Sequence, residues 1–200
     1  MIQPLVILAS ASPRRRELLH QIGIAHQVVP ADIMEEPGPG ESPRAYVQRV
    51  AAEKSQATLR LTGTPLPVLA ADTEVIIDDE ILGKPRDADH ARAMLKQLSG
   101  REHQVISAVS LRQGARHLHA MSISTVRLRC LTVDEVDAYL KTGEPMGKAG
   151  GYAIQGHGAL FISQLTGSYS GVMGLPLHET AELLAELGLH PLFQPKDQRP

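Results

Sequence analysis

Leu8-Ala9-Ser10-Ala11-Ser12-Pro13-Arg14-Arg15-Arg16-Glu17-Leu18-Leu19 joins the end of a strand, a tight turn and the start of a helix, and the fold reads outward from it. Leu5 to Ala9 is a short apolar run of strand type. Ser12 is a good N-cap, and Pro13 suits the first helical position because its missing N–H would have had no partner there. Three arginines in the opening turns oppose the helix macrodipole, which favours negative charge at that end. The arrangement makes most sense with an anion there, phosphate first; the plainer alternative is a solvated basic face.

Two hundred residues suffice for one α/β domain with a proper core. Hydrophobic residues at 42%, charged residues at 21% and aromatics at 3% with no Trp describe an ordinary globular chain with an aliphatic core. A net charge of −2, from 20 basic against 22 acidic residues, gives no large positive field for a nucleic-acid backbone. Cys130 is the only cysteine, which excludes an intramolecular disulfide, and its neighbours Leu128 and Leu131 imply a buried thiol. The N-terminal apolar run is too short for a signal segment and no later stretch has membrane-spanning length. A cytoplasmic protein without membrane or nucleic-acid partners is expected.

Ala25 to Val29 reads as a second strand ended by Pro30, followed by an acidic Pro/Gly-rich loop to Glu41. Ser42 and Pro43 open a helix to about Arg60 that buries Tyr46, Val47, Val50 and Ala51. Pro67 to Ile77 is apolar apart from Asp72, Thr73 and Glu74, which predicts a strand buried on both faces at the centre of a sheet. A helix capped by Asp87 runs towards Gly100. A hairpin over about Glu102–Arg112 and Arg116–Arg129 turns at Gln113-Gly114. Thr132 to Glu135 fits a capping box, Glu144 to Gly174 is glycine-rich loop with short strands, and a last helix spans about Pro176 to Leu187. Alternating strands and helices interrupted by a long hairpin predict a mixed, elongated sheet flanked by helices and opened into two lobes around a central cleft. A single domain over 1–193 and a mobile tail over 194–200 are expected.

A carboxylate inside an apolar strand is costly unless it faces a cleft or a cation, so Asp72 reads as functional, the alternative being a turn cap at a misplaced strand break. Asp72 and Thr73 place a carboxylate beside a hydroxyl, and such a carboxylate can hold a divalent ion or take a proton from water. Glu35 and Glu36 could complete an oxygen site for Mg²⁺, or be an exposed acidic loop. Lys84, between Gly83 and Pro85, is a possible phosphate partner or an ordinary turn lysine. The Gln155 amide can pair with the O4/N3 edge of a pyrimidine. Neither GxxxxGK[ST] nor GxGxxG occurs, and Gly167-Ser168-Tyr169-Ser170-Gly171 has Tyr where a nucleophile elbow needs Ser. His117 and His119 share a strand face but lack further ligands for zinc.

Taken together, LASASPRRRELL at 8–19, IMEE at 33–36, AAEKS at 51–55, the segment from Leu69 to Val105 and the segment from Glu144 to Thr180 resemble the Maf family of nucleotide pyrophosphatases. The resemblance implies a Maf/ITPase-like two-lobed fold with a deep cleft, a homodimer, and Mg²⁺- or Mn²⁺-supported hydrolysis of nucleoside triphosphates to monophosphate and pyrophosphate. The AGxYxIQG form at 149–156 is similar to the branch acting on dTTP and UTP. By that similarity Asp72 is the proton acceptor, and Arg14, Thr73 and Gln155 set substrate choice. Ser10, Arg15, Lys54 and Lys84 line the phosphate path, and Glu35 and Asp72 lie at the metal. One departure is Gly147, where the family often has Asp before the Lys148-Ala149-Gly150 segment. The competing reading is a nucleotide-binding regulator of cell division without essential turnover. A phosphatase of small phosphoesters is a third.

Overall fold

A computed structural model describes residues 3–193; the tail expected over 194–200 lies outside the described residues. In chain order the elements are β1 (Val6–Leu8), α1 (Pro13–Gln21), β2 (His26–Val28), α2 (Pro43–Thr62), β3 (Val68–Ile77), β4 (Glu80–Ile81) and α3 (Ala88–Leu98). They continue with β5 (Glu102–Gln113), β6 (Arg116–Leu128), α4 (Val133–Lys141), β7 (Ile162–Thr166), α5 (Tyr169–Met173) and α6 (Leu177–Ala185). The strands form one mixed seven-stranded sheet in the order β2-β1-β3-β5-β6-β7, with β4 added beside β3. β1 pairs in parallel with β2 and β3, and every other pairing is antiparallel.

The near-continuous hydrophobicity of β3 follows from helices packed on both of its faces. On one face α2 covers it, with Tyr46, Val47, Val50 and Ala51 packed against Ile76, Ile106 and Ala108. On the other face there are two separate cores. Leu18, Leu19, Leu175 and Leu184 pack with Leu69 and Ala71, while Leu95, Leu98, Tyr139 and Phe161 pack with Val75 and Ile77. Thr73 falls between them.

The register of β3 opens the sheet at that same point. Along one edge β5 pairs with it from Val68 to Ile76. Along the other, β1 reaches only Val68 and Leu69, with a last bond from the Ala9 N–H to the Leu69 carbonyl, and β4 begins again at Ile76. Between β1 and β4 the segment around Asp72–Glu74 therefore has no strand neighbour on that edge. A gap at the carboxyl end of a parallel strand is where open α/β sheets place ligands.

Local chemistry accounts for most helix starts. The side chains of Ser42, Asp87 and Thr132 each accept a backbone N–H at the third residue on, and Glu135 completes the capping box. Ser12 occupies the N-cap position of α1 but makes no side-chain cap bond; its own N–H donates to Ser10 Oγ at 3.2 Å. The expectation for Cys130 is corrected, since the thiol is exposed. β6 ends at Leu128, so the buried alternation stops before Cys130 as the chain turns toward α4. The glycine-rich segment contains the short helix α5, which its composition did not announce. Among the described residues no helix is long and apolar enough to cross a membrane.

Candidate active site

The gap beside β3 opens into a cavity of about 700 Å³, and nine of the side chains singled out from the sequence line it: Ser10, Arg14, Arg15, Glu35, Lys54, Asp72, Thr73, Lys84 and Gln155. The β1–α1 turn supplies Ser10, and the first turn of α1 supplies Arg14 and Arg15. Arg15 is locked, its Nε donating to the Gly174 carbonyl at 2.8 Å and its Nη1 to Ser10 Oγ at 3.1 Å. Gly174 sits at φ +120°, a backbone that L side chains rarely adopt, so the carbonyl that holds Arg15 depends on glycine there. Arg14 and Arg15 are half-buried, and burial lowers both guanidinium pKa values from their usual range. Arg16 is exposed and does not line the cavity, so the three-arginine run divides into two cavity residues and one solvated one.

Lys54 is on the inner face of α2, with its side chain 9% exposed. It donates to Asp72 Oδ1 at 2.8 Å and pairs with Glu35 Oε2 at 2.9 Å. One ammonium thus joins the central strand to the acidic loop. Desolvation pushes the Glu35 carboxyl upward, but the Lys54 hydrogen bond and the fields of Lys54, Lys84 and Arg15 outweigh it and leave Glu35 below the usual carboxylate range. The loop is held from behind by Arg49, which binds Glu41 through two hydrogen bonds of 2.7 Å and the Glu36 carbonyl at 3.0 Å. Glu36 does not line the cavity, so the paired Glu35/Glu36 oxygen site reduces to Glu35.

Thr73 points to the opposite face of β3, where its Oγ1 meets Ser107 Oγ at 2.7 Å, and Ser107 donates to the Gly171 carbonyl. Lys84 is exposed at the mouth. Gln155 lies on a loop that Glu144 ties down: the Glu144 carboxylate accepts the N–H groups of His157 at 2.9 Å and Gly158 at 3.0 Å and the Tyr139 hydroxyl at 2.7 Å. The Tyr139 hydroxyl in turn accepts the Ala153 N–H at 3.1 Å.

Three charged residues in the cavity were not given roles from the sequence, Glu17, Glu74 and Lys148. Glu74 is two residues beyond Asp72 on the same face of β3, and burial, then the neighbouring Asp72, pushes its carboxyl up to about 8. Strand alternation was the available signal; the position of the gap was not. Lys148 follows Gly147, which stands at φ +71° with no atom within 4 Å of where a side chain would begin. Burial lowers the Lys148 ammonium pKa. Asp72 Oδ2 and Glu74 Oε2 are buried without a hydrogen-bond partner. Among the described residues no three His, Cys, Asp or Glu side chains converge as a ready metal cage. Mg²⁺ usually takes one or two carboxylates and completes its shell with water and phosphate oxygens, so this donor set fits such an ion.

A mixed sheet opened at its central strand onto a cavity with arginines and lysines around buried carboxylates defines an α/β protein built to receive a phosphorylated ligand. The chain belongs to the Maf-like protein family, whose model matches residues 5–187. It is 55% identical over 184 residues to a dTTP/UTP pyrophosphatase of Methylococcus capsulatus, covering 92% of this chain and 91% of that one. A dTTP/UTP pyrophosphatase of Nitrosomonas europaea is 52% identical over 197 residues, covering 92% and 95%. One from Shigella dysenteriae is 48% identical over 178 residues, covering 89% and 90%. A solved nucleoside-triphosphatase / dITP/XTP pyrophosphatase from Mycobacterium abscessus superposes with a TM-score of 0.45 at 18% identity, over 62% of this chain and 73% of that one. A likeness that loose carries no weight for activity.

Proposed function

We propose that this protein hydrolyses dTTP and UTP to the nucleoside monophosphate and pyrophosphate, clearing such nucleotides from the pool. The observation that carries the reading is Asp72, whose Oδ2 is free and buried at a cavity ringed by Arg14, Arg15, Lys84 and Lys148. The family and the names of its relatives at 48–55% identity support the substrate class.

In the proposed reaction the oxygen of water bonds to the α-phosphorus while the bond from that phosphorus to the α–β bridging oxygen breaks. The bridging oxygen leaves with the electron pair as part of pyrophosphate. Asp72 Oδ2 takes the water proton, and Lys54 on Oδ1 supplies the counter-charge that keeps a carboxylate tolerable in that strand. Arg15 is pre-positioned by Gly174 and Ser10, so with Arg14 and Lys84 it offsets charge on the departing pyrophosphate without reorganising. Ser10 lies beside the phosphate path. Thr73 and Gln155 contact the nucleoside, with the Gln155 amide against the O4/N3 edge of the pyrimidine.

A divalent cation, Mg²⁺ or Mn²⁺, belongs to the proposal, with Asp72 and Glu35 as the carboxylates that the resemblance names. When bound, such an ion neutralises triphosphate charge and polarises a phosphoryl oxygen. The single two-lobed domain, the homodimer, the cytoplasmic setting and the lack of a nucleic-acid partner are further parts of this reading. A product assay with dTTP, UTP and 7-methyl-GTP tests it: pyrophosphate from the first two is expected. Tight binding with no pyrophosphate from any of the three would favour a nucleotide-binding regulator, and orthophosphate would point to a phosphatase.

A further inference from the structure

Lys54 already engages Glu35 Oε2 and Asp72 Oδ1, so the two carboxylates named for the metal share an ammonium. The oxygens left over lie elsewhere. Asp72 is 4% exposed and Glu74 7% exposed. Both line the cavity, and Asp72 Oδ2 and Glu74 Oε2 have no hydrogen-bond partner. Residues i and i+2 of a strand project from the same face, so β3 presents the two acids side by side. Two buried acids with unclaimed oxygens beside each other are costly, and the cost falls when a cation fills the space between them. Glu35, by contrast, is 35% exposed and sits on the loop anchored by Arg49.

We propose that Asp72 and Glu74 together seat the divalent cation, and that Glu35 acts as the second partner of Lys54 and not as a ligand to the ion. The cavity then has a division of labour. Glu74 and one lone-pair direction of Asp72 hold the ion at the strand, and Glu35 fixes the Lys54 ammonium that orients Asp72. The inference rests on the hydrolase reading above, but its test follows the cation and not turnover.

The experiment titrates Mn²⁺ into the nucleotide-free protein and follows the loss of the free-ion electron paramagnetic resonance signal. Wild type is expected to bind Mn²⁺ and to melt at a higher temperature with it. Glu74→Gln is expected to weaken binding about tenfold or more and to abolish that rise in melting temperature, whereas Glu35→Gln stays within about threefold of wild type. The melting temperature of Glu74→Gln without metal checks the fold; should Gln not be tolerated, Glu74→Met is read in the same way. Wild-type Mn²⁺ affinity in the Glu74 variants, no binding by wild type, or loss of the site in Glu35→Gln would overturn the proposal. A wild-type chain that binds Mn²⁺ through Glu74 yet releases no pyrophosphate would support the seat while overturning the hydrolase reading.

Discussion

Replacing Lys54 with Met keeps the length of the side chain along α2 and removes only the ammonium that holds Asp72 and Glu35. The Lys54 and Asp72 side chains are 9% and 5% exposed and meet at 2.8 Å, so the deletion strands a carboxylate with almost no access to water. Breaking a buried pair in this way costs about 3–5 kcal/mol. The contact to Glu35, which is 35% exposed, adds at most about 1 kcal/mol. For a chain of this size each kcal/mol lowers the melting temperature by about 2–4 °C, so Lys54→Met is expected to melt roughly 6–24 °C below wild type. The second arm is the Lys54→Met/Asp72→Asn double variant. Most of the cost in the single variant is the unpaired charge, so removing that charge as well should restore at least half of the lost stability. Differential scanning calorimetry reads both. A Lys54→Met protein that melts within about 2 °C of wild type, or a double variant that loses the sum of its parts, would refute the claim that this ion pair makes Asp72 tolerable in the strand.

Other expectations concern parts of the molecule further from the chemistry. His103 is buried against the Tyr152 hydroxyl at 2.7 Å, and burial holds its ring down to about 4, against about 6.5 in an unfolded chain. Between those values the unfolded state binds the extra proton, so stability falls as pH drops from about 6.5 to about 4, by roughly 3 kcal/mol. Denaturant titrations of wild type and His103→Gln at several pH values test this, and a gap between them that does not change with pH contradicts it. Glu144→Ala unties the loop that carries Gln155, and the preference in kcat/KM for UTP over CTP should drop about tenfold, equivalent to about 1.4 kcal/mol; unchanged discrimination would separate that loop from base choice. Thr132→Ala removes half of a capping box on a helix away from the cavity, so about 1 kcal/mol of stability should go with no change in kcat.

Elements set by local chemistry were legible in the sequence. Ser42-Pro43, Asp87 and the Thr132–Glu135 box start helices where their side chains can cap, and the Pro67–Ile77 run became a strand buried on both faces. The site residues carried over by family resemblance, such as Ser10, Lys54 and Gln155, all reach one cavity because their motifs flank the gap in β3. What could not be read depended on where chains part. Nothing in Leu5–Ala9 says that its pairing with β3 ends at Leu69, yet that ending exposes the Asp72–Glu74 edge and makes Glu74 a cavity residue. Ser12 takes the N-cap position that the sequence assigns it, but its side chain makes no cap bond there. Cys130 read as buried because Leu128 and Leu131 flank it, and alternation fails once the strand has ended.

The central claim is that the Asp72 carboxylate, free at Oδ2 and held at Oδ1 by Lys54, takes the proton of the attacking water. Pyrophosphate release from dTTP and UTP by Asp72→Asn, compared with wild type at saturating substrate and with nucleotide binding measured alongside, tests it most directly. A fall of roughly 10²–10³ in kcat with nucleotide still bound is the expected result, the usual effect of removing one group that acts in the transition state. Wild-type turnover by Asp72→Asn would contradict it.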